Sequence, residues 1–357
     1  MSNLYISKPT VRASEVGMIS IMTTMVLMII ISLIALGFAQ ISRRNQRESL
    51  DRQLSTQAFY AAESGVNDAR NLIANAVNSG TAVPDKAGCD DNGTGAFYAA
   101  LNPVLDAARN VEYSCLLVDT APTELRYSDV GTPSTIIPMT SATGANFSRI
   151  DLSWQAKSGA SPITSCPTST TNVFRTGATW NCGYGVLRFD LVPASGGGLS
   201  IDGLRNSTMT TFAVPFSSGG TNSVAYAAGS ANTNNLIGIA CNNTGCSLSI
   251  TGLTTNSYYM RVTSLYKNVA LQVTADDNAG NAIELQGAQA VIDSTGKSED
   301  VLRRIQVNVP IRSTSKNELS DYAIQSTDAI CKRFSVMQGY FDATASGVTS
   351  TNRLCQP

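Results

Sequence analysis

The sequence predicts an α+β chain: a long N-terminal helix, apolar in its first part and amphipathic in its second, followed by a disulfide-containing, mainly antiparallel β head. Three observations carry this. No charge occurs between Glu15 and Arg43, a stretch rich in Ile, Leu and Met. From Leu50 to Val77 the apolar residues recur at three- and four-residue spacing. Beyond Pro84 the composition turns to Gly, Ser, Thr and Asn with short β-prone runs, and all eight cysteines fall there.

The portion Met18 to Gln40 is long enough, at about 1.5 Å per residue, to cross a hydrocarbon core of about 30 Å. A secretory signal would be shorter and end at a small-residue cleavage site, whereas Ala39 is followed by Gln40, Ile41 and a basic stretch. Arg43, Arg44, Arg47 and Arg52 outnumber Lys8 and Arg12, so charge counting places the C-terminal side in the cytoplasm. The cysteines and the long Ser/Thr/Asn/Gly-rich sequence argue the opposite, and long domains translocate largely regardless of charge; the cysteines outweigh the arginines. In the second part, Leu54, Ala58, Ala61, Ala62, Val66, Ala69, Ile73 and Val77 form one apolar face, and Glu48 and Arg52 form an i,i+4 pair. With no proline before Pro84, one helix is expected from about Met18 to about Ser79, closed by Gly80, with the second part lying on the head. Gly37 reads either as a weak point in the helix or as a close-packing residue.

The head is expected over 81–357. Seven runs read as strands: Val111 to Val118, Ser148 to Trp154, Gly185 to Val192, Ser247 to Leu253, Tyr258 to Tyr266, Val269 to Ala275 and Arg304 to Ile311. A β-sandwich-like insertion is expected over roughly 131–255, with the 81–130 region and the 256–312 strands in the other part. A short helix is expected around Leu319 to Phe334. Cys89, Cys115, Cys166, Cys182, Cys241, Cys246, Cys331 and Cys355 include no CxxC pair, so disulfides are favoured over zinc. Neighbours in sequence (89 with 115, 166 with 182, 241 with 246, 331 with 355) give compact loops, although eight cysteines allow 105 pairings.

The net charge of −1 has no run of either sign behind it, which argues against a nucleic-acid surface. Histidine is absent and no nucleophile-base set is visible, so no enzyme, cofactor or metal is expected. Two oxygen-rich stretches, Cys89 to Gly95 and Ala275 to Asn281, lack the spacing of an EF-hand loop and read as turns. Trp154, Trp180 and Tyr184 read as core before they read as a ligand platform. Asn92, Asn146, Asn206 and Asn242 begin sequons of the kind that abundant Asn, Ser and Thr produce by chance. Arg303 and Arg304 should point to opposite faces of one strand.

Gly17 directly before the apolar run, a short polar leader before it, and the stretch RNQRESLDRQLSTQAFYAAESGVNDAR (Arg44 to Arg70) resemble the N-terminus of type IV pilins and pseudopilins, most of all PilX-type minor pilins. Arg52, Gln53, Ala58, Ala61, Ala62, Glu63, Gly65, Asp68 and Ala69 carry the likeness, which covers about the first eighty residues. Ala290 to Ile311 is similar to the strand-turn-strand ending of such heads. The resemblance implies a leader over 1–17, cleavage by a prepilin peptidase between Gly17 and Met18, methylation of Met18, and a helix over 18–80. At the fifth mature position, where major pilins carry Glu, this chain has Met22. Some minor pilins and K-type pseudopilins resembling tip subunits share that departure.

The implied function is a minor pilin-like subunit at or near the filament tip, initiating assembly or presenting an adhesive head. Its partners would be other pilins through the helix, the prepilin peptidase and the inner-membrane assembly platform. It would span the membrane once before assembly and be extracellular afterwards. The competing reading is a stationary single-pass surface protein whose head binds a ligand.

Overall fold

The computed structural model describes residues 13–89, 97–98, 101–157, 163–171, 173, 180–194, 204 and 206–311, with side chains from Ser20 onward. Among the described residues one α-helix, α1 (Ala13–Ser79), is followed by fifteen strands. These are β1 (Val104–Asp106), β2 (Val111–Asp119), β3 (Glu124–Val130), β4 (Thr135–Ser141), β5 (Arg149–Ala156), β6 (Val186–Pro193), β7 (Met209–Phe216) and β8 (Ser223–Ala225). The remainder are β9 (Leu236–Ala240), β10 (Cys246–Thr251), β11 (Ser257–Leu265), β12 (Val269–Asp276), β13 (Leu285–Gln286), β14 (Gln289–Ser298) and β15 (Val301–Pro310). Each of the seven runs read as strands from the sequence coincides with one observed strand, apart from one or two terminal residues in five of them.

The helix ends where the sequence says it should. Gly80 sits at φ +70°, its N–H donates to Val77 O, and the Thr81 N–H donates to Ala76 O. That pair of bonds is the Schellman closure, in which a left-handed residue satisfies the last carbonyls.

The chain divides into two compact units, 1–122 with 289–311 and 123–288. The first contains α1 and the four-stranded antiparallel sheet β1-β2-β14-β15. Its core is formed by Val66, Ala69 and Ile73 of the helix with Tyr113, Leu116, Val118, Ala290, Ile292 and Val309 of the sheet. Tyr113 and Leu116 are three apart, yet both are buried in this core. The pairing of β2 with β14 slips between Thr295 and Gly296, which oppose Cys115 and Tyr113, so Ser114 is the extra residue of a bulge. A simple alternation would have put one of the two apolar residues outside.

The second unit holds two sheets, β3-β12-β5-β10-β8 and β13-β4-β11-β6-β7-β9. Inward residues of both, such as Leu152, Trp154 and Val273 from the first with Met139, Phe189 and Met260 from the second, form one cluster, so the unit is a β-sandwich. The parallel pairs are β8 with β10 and β7 with β9; the other ladders are antiparallel. The division differs from the expected 131–255 because hydrogen bonding overrides composition: β3 pairs with β12, β12 with β5, and β11 with both β4 and β6. Residues 123–130 and 256–288 are thereby sandwich strands.

Among the described residues three disulfides join Cys89 to Cys115, Cys166 to Cys182 and Cys241 to Cys246. Cys331, Cys355 and the helix expected at 319–334 lie outside the described residues, as does most of the 89–95 stretch.

Candidate functional site

Among the described residues no cluster of three or more His, Cys, Asp or Glu side chains converges as metal ligands would. Trp154, Trp180 and Tyr184 are buried in the sandwich, with the indole N–H of Trp180 donating to Tyr184 O at 2.9 Å, so they are core. The 275–281 stretch is a turn. One Asp277 oxygen accepts from the N–H groups of Ala279 and Asn281 at 2.8 Å each, the other accepts from the Asn281 amide, and these bonds hold the carboxyl below its usual range.

The unusual surface belongs to α1. From Ile21 to Ile41 its large apolar side chains are all exposed, and this half-helix makes no core within its own chain. Met22 is 73% exposed. The hydroxyls in this half donate back to the helix: Thr23 to Ser20 O, Thr24 to Ile21 O and Ser32 to Met28 O, at 2.8 to 2.9 Å. An apolar surroundings would therefore find no unmet donor at these residues. Gly37 has open space around it, so nothing in the isolated chain packs there. Gly17 and Met18 lie within α1.

The other half is built for close approach. Ala58, Ala61, Ala62 and Ala69 are fully buried, and Gly296 of β14 lies against the first three. A Cβ on Gly296 would sit 2.0 Å from Ala58 O and 2.3 Å from Ala62 N. One turn on, a Cβ on Gly65 would lie 2.4 Å from Ser294 Oγ and 3.0 Å from the Tyr113 ring. Helix and sheet thus touch backbone to backbone, which only Gly and Ala permit. Polar contacts border this seam. Tyr113 donates its hydroxyl to Asp68 Oδ2 at 3.1 Å, Ser298 Oγ to Gln57 Oε1 at 3.0 Å, and Arg303 Nε to Ser55 Oγ at 2.8 Å. Burial and the Asp68 carboxylate both push the Tyr113 hydroxyl well above its ordinary pKa. Arg304, on the opposite face of β15, pairs with Asp293.

Residues 17–67 match the model of the PilX N-terminal family. This segment is a PilX N-terminal region. The match covers part of α1 and none of the β head, and it supports a PilX-like pilin. No curated protein and no solved structure matches it. The small residues of the PilX-like pattern now have a physical role, since Ala58, Ala61, Ala62, Gly65 and Ala69 let α1 lie on β14, and Asp68 accepts from Tyr113. Sequence reasoning identified these positions by likeness but missed their partners Gly296 and Ser294. A glycine and two serines within a strand of moderate β-propensity were the available signal.

Proposed function

We propose that this chain is a minor subunit of a type IV pilus or related filament, placed at or near the tip, where it initiates assembly or presents its sandwich as an adhesive head. The observation that carries the reading is a single unbroken helix with two differently equipped halves. One is apolar all round with no partner in its own chain; the other is fixed to the head through backbone contact. A stationary anchor needs the first half but not its rigid continuation into a folded domain.

In this reading a prepilin peptidase cuts between Gly17 and Met18, Met18 is methylated, and the apolar half rests in the membrane until the assembly platform transfers it among the helices of other pilins. Met22 replaces the acidic residue with which major pilins meet a neighbouring amino terminus. A buried unpaired carboxylate is costly, so a subunit with nothing above it gains by lacking one. The cysteine loops of the head suit an oxidising exterior.

Mass spectrometry of the assembled protein tests the central step. A chain beginning at a methylated Met18 supports it, whereas a retained leader in surface filaments refutes it. Gold labelling of the head tests position, with label at filament ends expected and uniform label along the shaft overturning the tip assignment.

A further inference from the structure

Arg43, Arg44 and Arg47 follow the apolar half directly. They are exposed and enter no ion pair among the described residues, while the next arginine, Arg52, pairs with Glu48 at 2.6 Å. At about 100° per residue the three fall within roughly one quadrant of the helix, and the opposite face at this level carries the neutral Ser42, Asn45, Gln46 and Ser49. Arg43 lies on the order of 33 Å along the axis from Ile21, at about 1.5 Å per residue, so a helix spanning a core of about 30 Å places this collar at headgroup depth. These cations oppose the orientation that the cysteines demand, because positive charge beside a span favours the cytoplasmic side. On the far side of the span such cations meet the anionic groups of the headgroup layer.

We propose that Arg43, Arg44 and Arg47 form a binding collar for the phosphates of anionic phospholipid headgroups in the outward-facing leaflet. The collar holds the unassembled subunit at fixed depth and rotation, and it releases on extraction. The guanidinium fork matches phosphate oxygens in pairs, and three neighbouring forks outbid zwitterionic headgroups, whose own ammonium competes. The proposal rests on the reading that α1 spans a membrane.

The test reconstitutes the full chain into phosphatidylcholine vesicles with and without phosphatidylglycerol of matching acyl chains. Flotation is measured first, and the headgroups retained on the gently extracted protein are then counted by native mass spectrometry. Phosphatidylglycerol should be retained several-fold over phosphatidylcholine, and the preference should fall as salt approaches about 0.5 M. It should weaken with each arginine replaced in the series R43Q, R44Q and R47Q and be lost in the triple substitution. R126Q, a change on the sandwich where Arg126 pairs with Glu124, should leave it unaltered. Equal retention of both lipids, or a preference surviving the triple substitution, overturns the proposal. So does a triple variant that has wild-type lipid retention and yet fails to enter filaments, which would assign the collar to acidic residues of neighbouring subunits. Failure of the wild-type chain to float refutes the membrane reading itself and the collar with it.

Discussion

Substituting Gly296 with alanine adds one methyl group at the tightest point of the first unit. Its Cβ would lie 2.0 Å from Ala58 O and 2.3 Å from Ala62 N, against an ordinary contact limit of 3.4 Å. Both obstructing atoms belong to helix backbone, so no side chain can swing aside; helix and strand must part by roughly 1.4 Å. Overpacking of this kind costs about 1–3 kcal/mol, and with only backbone to yield the upper end applies, about a hundredfold in the local opening equilibrium. Gly37→Ala is the matched control: its Cβ meets nothing within 4 Å, and it should stabilise the helix by about 1 kcal/mol. Hydrogen exchange read by mass spectrometry on the full chain in detergent, with disulfides intact, separates the two. Amides of residues 58–76 and 289–310 should lose protection by one to two orders of magnitude in Gly296→Ala, and those of the sandwich should not change. Protection of 58–76 within threefold of the wild type would refute the argument that backbone contact at this seam holds the helix to the sheet.

Other substitutions probe neighbouring features. Gly80→Val forces a β-branched residue into φ +70° at the helix end, and its destabilisation of the last turn, about 1–2 kcal/mol, should appear as faster exchange over 74–81. Tyr113 has a raised pKa, so its contribution is present below the ordinary tyrosine value near 10 and lost as pH rises through the higher folded value; protection of 58–76 should fall at strongly alkaline pH, and Tyr113→Phe should flatten that dependence. Asp277 is depressed, so the stability of its turn is present above the ordinary aspartate value near 3.8 and is lost as pH falls through the lower folded value. Because protein N–H groups fill that carboxylate, chelator should leave proteolysis at 275–281 unchanged; a calcium-dependent protection there would contradict the turn reading. Phe189→Ala in the sandwich core, where Phe189 is fully buried, should cost about 3–5 kcal/mol in denaturant titration while peptides 58–76 keep their protection.

The helix was legible because its signals are local: a charge-free run, a recurring apolar face, no proline, and a glycine at the close. Strands with clean alternation, such as β5 and β12, were legible for the same reason. Others were hidden by what makes them fit. Pro138 interrupts the reading of β4, and Pro215 that of β7, yet Pro138 lies beyond the short pairing of β4 with β13, and Pro215 beyond that of β7 with β6. Each therefore sits where the strand is bonded on one side. β14 mixes Asp, Ser, Thr and Gly because its inner face must admit a helix backbone, a demand that exists only once residues 58–65 and 294–296 are brought together. The unit boundaries at 122 and 288 were likewise invisible, since they depend on which strands pair and not on composition.

The two halves of α1 answer to one rule, that an apolar helix surface is stable only against something that fits it, and they meet it on different timescales. The C-terminal half is fitted within the first unit, by alanines and glycine against β14, so the helix along 58–76 and that unit's sheet form one packed body. The chain leaving Gly80 is then tied back to β2 by the Cys89–Cys115 bond. A pull on the apolar half therefore loads the seam in shear along the helix axis, where Gly296, Gly65 and the Tyr113–Asp68 bond must all give way together. The N-terminal half has no such fit within its own chain; if it exchanges lipid for neighbouring helices as proposed, its satisfied hydroxyls mean that the exchange breaks no hydrogen bond made by Thr23, Thr24 or Ser32. If the collar binds headgroups as proposed, extraction would be resisted by loss of lipid contact and by those arginines, and the strength of anchorage could be set there independently of the fold.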